Sequence, residues 1–112
     1  MDVEINVGLH VAGSNDAVIT ASSLRAVARV HGVTVVAMRG AVGEYEGRPE
    51  TTAVVLARAR DDADWEGMAR TLSQDSIAVY DPVSGVGVLA GPNPQHYEFD
   101  AQYFLRFDEQ QS

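Results

Sequence analysis

Val3, Ile5, Val7, Leu9 and Val11 alternate with Glu4, Asn6, Gly8 and His10. A period of two sustained this long predicts a half-buried strand, with Glu4, Asn6 and His10 on its polar face. The cluster Ala12-Gly13-Ser14-Asn15-Asp16 ends it as a turn. A first helix follows over Ala21 to His31, with Leu24, Val27, Ala28 and His31 at the spacing of one helical face. Thr20 is its expected N-cap, Ile19 and Leu24 its hydrophobic staple, and Gly32 its left-handed close. Val33 to Val42 reads as a second strand, in which Gly40 and Gly43 suggest a bulge or a close backbone approach. Glu44 to Glu50 reads as a polar hairpin tip, and Thr51 to Arg60 returns as a third strand. That strand carries Thr52, Val54, Leu56 and Arg58 on one face and Ala53, Val55, Ala57 and Ala59 on the other.

Asp61-Asp62 is expected to open and cap a second helix, whose buried stripe is Trp65, Met68, Ala69 and Leu72. Gly67 weakens its middle and suggests a tight crossing over the sheet. Ile77 to Tyr80 is a buried strand, Asp81 to Gly85 a turn, and a short strand follows before Pro92-Asn93-Pro94. The order strand, helix, strand, strand, helix, strand predicts an α+β domain of ferredoxin-like β-α-β-β-α-β type, an antiparallel sheet with one extra C-terminal strand and an aromatic tail. Residues 1–107 are expected to form one domain, with 108–112 frayed. Helices would cover one sheet face; the other needs water, a partner or the tail, and homo-oligomers commonly form there.

Composition narrows the chemistry. The chain has 112 residues, enough for a core without staples, and no cysteine, so disulfides, thiolate nucleophiles and thiolate-held metals are excluded. With histidines scattered over separate elements, no metal site and no cofactor is expected. The net charge of −8 opposes direct binding to nucleic acid, where affinity comes from cations on phosphate. Imitation of a phosphate backbone is the sharper reading of that charge, and solubility the plainer one. No apolar run reaches the roughly 20 residues of a membrane span, and the start Met1-Asp2-Val3-Glu4 lacks the basic and apolar blocks of a signal peptide, so a cytoplasmic protein is expected.

All eight basic residues are arginines. Arg39, Arg58 and Arg60 are expected near one another across the hairpin, where guanidinium forks could hold a small anionic ligand or a partner's carboxylates. Tyr45 and Arg48 at the tip, Tyr80, His96 and Tyr97 complete the candidate contact residues. A small enzyme using His10, His96 or Tyr80 as acid/base on the open sheet face is a further alternative, but no residue group has a recognisable nucleophile setting. Gly85-Val86-Gly87-Val88-Leu89-Ala90-Gly91 lacks the spacing of a phosphate loop and has no helix after it. Five of the chain's aromatic residues, Tyr97, Phe99, Tyr103, Phe104 and Phe107, crowd its end, a composition that must pack somewhere.

Gln74-Asp75-Ser76-Ile77-Ala78-Val79-Tyr80-Asp81, then Gly87 to Leu89, Gly91-Pro92 and Tyr103-Phe104-Leu105, resembles a pattern in small uncharacterised proteins of phages and prophages. The match spans residues 73 to 105 and departs from the pattern at Asn93-Pro94. The resemblance implies an accessory role, for instance interference with a host system through a host protein partner. The expectation is therefore a non-catalytic binding protein acting through protein contacts, with an anion- or nucleotide-binding regulatory domain as the alternative.

Overall fold

The computed structural model describes residues 1–10, 19–45, 47–92, 97–99 and 104–108 of the chain. The elements run β1 (Asp2–Gly8), α1 (Ala21–Val30), β2 (Val33–Tyr45), β3 (Arg48–Ala59), α2 (Trp65–Thr71), β4 (Ile77–Asp81), β5 (Val86–Ala90) and β6 (Tyr97–Phe99). All six strands join one antiparallel sheet in the order β2-β3-β1-β4-β5-β6, which makes this an α+β fold. The most regularly alternating segment, β1, sits inside the sheet: Ile5 lies opposite Val55 of β3 on one side and Val79 of β4 on the other.

Alternation then sorts the side chains. Val3, Ile5 and Val7 of β1, Ala53, Val55, Ala57 and Ala59 of β3, and Ile77 and Val79 of β4 meet Leu24, Ala28, Met68, Ala69 and Leu72 from the helices in one buried cluster. The alanine row of β3 leaves room for helices close to the sheet. Each fully buried aliphatic side chain here, such as Ile5 or Leu24, contributes about 1.5–3 kcal/mol relative to exposure.

The first helix begins as its sequence dictates: the Thr20 hydroxyl accepts the Ser23 N–H at 3.1 Å, and Gly32 turns the chain at φ +86°. The second starts later than Asp61-Asp62 suggests. Its N-cap is Asp64, whose carboxylate accepts the Gly67 N–H at 2.9 Å. Asp64 is fixed there from outside, because its own N–H donates to the His31 carbonyl at 3.0 Å and draws residues 60–64 against the end of α1. Asp62 pairs with Arg60 at 3.1 Å instead. Gly67 marks no helix crossing: the space of a Cβ there is filled by the Asp64 carboxylate, 2.1 Å away.

Two further expectations shift. The hairpin tip is short, since β2 and β3 stay in register from Gly43 opposite Glu50 to Tyr45 opposite Arg48, with Gly47 at φ +77° in the turn. The bulge falls between Val35 and Ala37 rather than at the glycines. Gly43 does mark a close approach, its Cβ space lying 2.6 Å from the Thr52 hydroxyl. Gly91 marks a tighter one, with the Asp75 carbonyl oxygen 2.1 Å from where a Cβ would stand.

Candidate functional site

The sheet face away from the helices is where the structure concentrates polar chemistry. Because Val3, Ile5 and Val7 point to the core, Glu4 and Asn6 point the other way, in the middle of the sheet. Tyr80 lies opposite Glu4 on β4, and Arg39 of β2 lies opposite Val54, which in turn lies opposite Asn6. The segment 104–107 crosses this face, and the four side chains hold it.

Asn6 exchanges two hydrogen bonds with the Leu105 backbone, donating to its carbonyl and accepting its N–H, each at 2.8 Å. The pair reproduces with a side-chain amide what a neighbouring strand would offer. Arg39 donates from Nε to the Phe107 carbonyl at 2.8 Å and from Nη2 to the Arg106 carbonyl at 2.5 Å. Glu4 accepts the Phe107 N–H at 2.7 Å on one oxygen, and on the other the Arg106 Nε at 2.9 Å and Nη2 at 2.7 Å. Tyr80 stacks on the Phe104 ring at 5.2 Å between centroids and carries the Arg106 guanidinium 4.5 Å above its own ring. Five backbone groups of three consecutive residues are thus bound by side chains from β1 and β2.

Burial sets the strength of this arrangement. The Glu4 side chain is only 6% exposed, while Arg106 is 35% exposed. A carboxylate removed from water needs charge and hydrogen bonds in return, and residues 106 and 107 supply them. Phe104 is buried, whereas Leu105, Arg106 and Phe107 are half-buried. The contacts tie a peptide segment to the sheet face through its backbone and its Phe104 and Arg106 side chains. Among the described residues no group of three or more metal-ligating side chains occurs.

Of the three arginines expected together, Arg39 is set apart from Arg58 and Arg60. Arg39 belongs to the face just described. Arg58, opposite Asp2 in register, pairs with the Asp2 carboxylate at 3.5 Å. Arg58 and Arg60 line a depression of 510 Å³ at the end of α1, with Arg29, His31, Asp62 and Asp64 also on its walls. Asp2 and Asp62 offset Arg58 and Arg60, and the depression opens at a helix C-terminus, whose dipole repels anions. His31 bridges the two helices, with Nε2 3.1 Å from the Thr71 hydroxyl and Nδ1 3.7 Å from Asp64. Its position is structural.

Arg48 is exposed at the start of β3. His96 and the side chains of Tyr45 and Tyr97 lie outside the described residues, as do the turn at 12–16 and Tyr103. His10 sits past the end of β1 with its backbone carbonyl accepting the Gln74 Nε2 at 2.6 Å, and its Nδ1 is buried without a partner among the described residues. Nearby, burial raises the Glu50 pKa above its ordinary value, against a smaller lowering by His10. Glu50 rests on Gly8, where a Cβ would stand 2.3 Å from its carboxylate.

Of the residues that meet on this face, Arg39 and Tyr80 are among the candidates the sequence offers, whereas Glu4, Asn6, Arg106 and Phe107 are not. The alternation in β1 placed Glu4 and Asn6 on a polar face, which reads as solvent. Only the return of the tail turns that face into a binding surface. No family model, curated protein or solved structure matches the chain.

Proposed function

We propose that this is a non-catalytic binding protein that acts through contacts with another polypeptide. One observation carries the reading: Glu4, Asn6 and Arg39 hold the backbone of residues 105–107, and Tyr80 receives Phe104 and Arg106. A surface that satisfies main-chain groups with fixed side chains suits peptide recognition. The ferredoxin-like frame belongs to the same reading; β3 lies between β1 and β2, β4 flanks β1, and β5 and β6 extend the sheet. The likeness of residues 73–105 to phage and prophage proteins supports an accessory role against a host protein, exercised in the cytoplasm. Tagged protein is expected to retain a stoichiometric partner from bacterial lysate. Arg39→Ala and Tyr80→Ala should lose that partner while remaining folded, and repeated failure to recover any partner overturns the reading.

A homo-oligomer remains part of the proposal, by a different route from the open sheet face. Strand β2 is a 13-residue edge, and Val36 and Val42 on it are 56% and 63% exposed. Long apolar edges template pairing with another strand. Sedimentation should give a dimer at micromolar concentration and a monomer for Val42→Lys; a monomer for the unmodified chain removes this element.

A further inference from the structure

Resting on that reading, we infer that the sheet face is an exchangeable site for a peptide segment of the pattern aromatic–apolar–Arg–aromatic, and that the chain's own residues 104–107 occupy it as a built-in competitor. Each position of the pattern follows from a contact. The first residue must offer a ring to Tyr80, as Phe104 does. The second is read through its backbone by Asn6, and the half-buried Leu105 side chain, which lies against Gly43, favours an apolar residue there. The third must bring a guanidinium to Glu4 and lay it over Tyr80, which lysine matches poorly because it lacks the planar fork. The fourth presents its N–H to Glu4, its carbonyl to Arg39 and its ring beneath the Arg39 guanidinium, 6.0 Å from the centroid.

The choice of Glu4 points to exchange rather than permanent closure. It is buried on an interior strand, opposite Leu56 on one side and Tyr80 on the other. An apolar residue there would seal a fixed tail at lower cost, since buried ion pairs add register and selectivity more readily than net stability. With 104–107 lifted away, Glu4 regains water, so the open face is a tolerable state. The partner is therefore a protein that carries an accessible segment of this chemistry. Its apparent affinity is the intrinsic one reduced by the fraction of molecules with the face open.

The test uses the full chain and an acetylated, dye-labelled peptide of residues 104–108, followed by fluorescence anisotropy. Arg106→Ala weakens the resident segment and is expected to bind the peptide at least tenfold more tightly than the unmodified chain. The same peptide with alanine in place of its arginine should fail to compete. Equal affinity for both chains, or no binding by Arg106→Ala with an intact circular-dichroism melt, overturns the inference. Where Arg106→Ala fails to fold, hydrogen exchange at the Leu105 amide of the unmodified chain decides. Millimolar peptide should accelerate that exchange by releasing the amide from Asn6, and an unchanged rate overturns the inference. A lysate partner that stays bound when peptide saturates the face also overturns it, yet leaves the protein-contact reading standing.

Discussion

Asp64 and Asp61 look interchangeable in the sequence, three residues apart and both ahead of an apolar helical stripe. Only Asp64 caps, because its N–H is anchored on the His31 carbonyl and its carboxylate then faces the Gly67 N–H. Asp64→Ala should cost about 1 kcal/mol of stability, while Asp61→Ala should leave the denaturation midpoint unchanged. Gly67→Ala, which in an ordinary helix gains roughly 1 kcal/mol, should be close to neutral here, since the added methyl displaces the capping carboxylate. Glu50 gives the pH-dependent counterpart. Burial raises its pKa, so over the window just above the ordinary value of 4.5 the folded chain holds a proton that the unfolded chain has lost. That contribution makes stability fall as pH rises through the window. Glu50→Gln should raise the melting temperature at pH 7, and the gain should vanish below pH 4.5.

At the scale of elements, α2 ends in a way its sequence disguises. Ser73 takes φ +56°, its N–H donates to the Arg70 carbonyl at 3.0 Å, and the Gln74 N–H donates to the Ala69 carbonyl at 2.9 Å. This is a Schellman close with serine where glycine is usual, so Ser73→Gly should stabilise by about 1 kcal/mol in chemical denaturation. The tail is the second such element. Arg39→Ala strips two half-buried carbonyls of a charged donor and should cost roughly 2 kcal/mol, with hydrogen exchange accelerating first at residues 105–107. A role confined to solubility would leave both measurements unmoved.

For the whole molecule, charge balance separates the binding readings. The chain carries −8, and its arginines are spread rather than pooled: Arg39 and Arg106 serve the tail, while Arg58 and Arg60 face Asp2 and Asp62. Phosphate or nucleotide at millimolar concentration is therefore expected to leave the melting temperature unchanged. A true ligand at 100 times its Kd would add about 2.7 kcal/mol of stability, so a thermal-shift series detects the anion reading if it holds. The helix-free face also carries less room for self-association than an open sheet, because the tail lies across its centre.

Neighbouring residues carry the local grammar of this chain. The period of two in β1 and β3, the 3.6-residue stripe of both helices, the Thr20 cap and the Gly32 close are written in neighbouring residues. Each depends on interactions a few positions apart, so the element types and the buried alanine row were legible. The tertiary structure decided everything that depends on long separations. Glu4 meets Phe107 across 103 positions and Asn6 meets Leu105 across 99. Arg39 meets Phe107 across 68. No local pattern encodes such pairs, since the same polar alternation serves equally for solvent and for a docked segment. The helix start at Asp64 was likewise fixed by a carbonyl on another helix. In β1 the sequence chose which side chains face away from the core, and the fold chose what they hold.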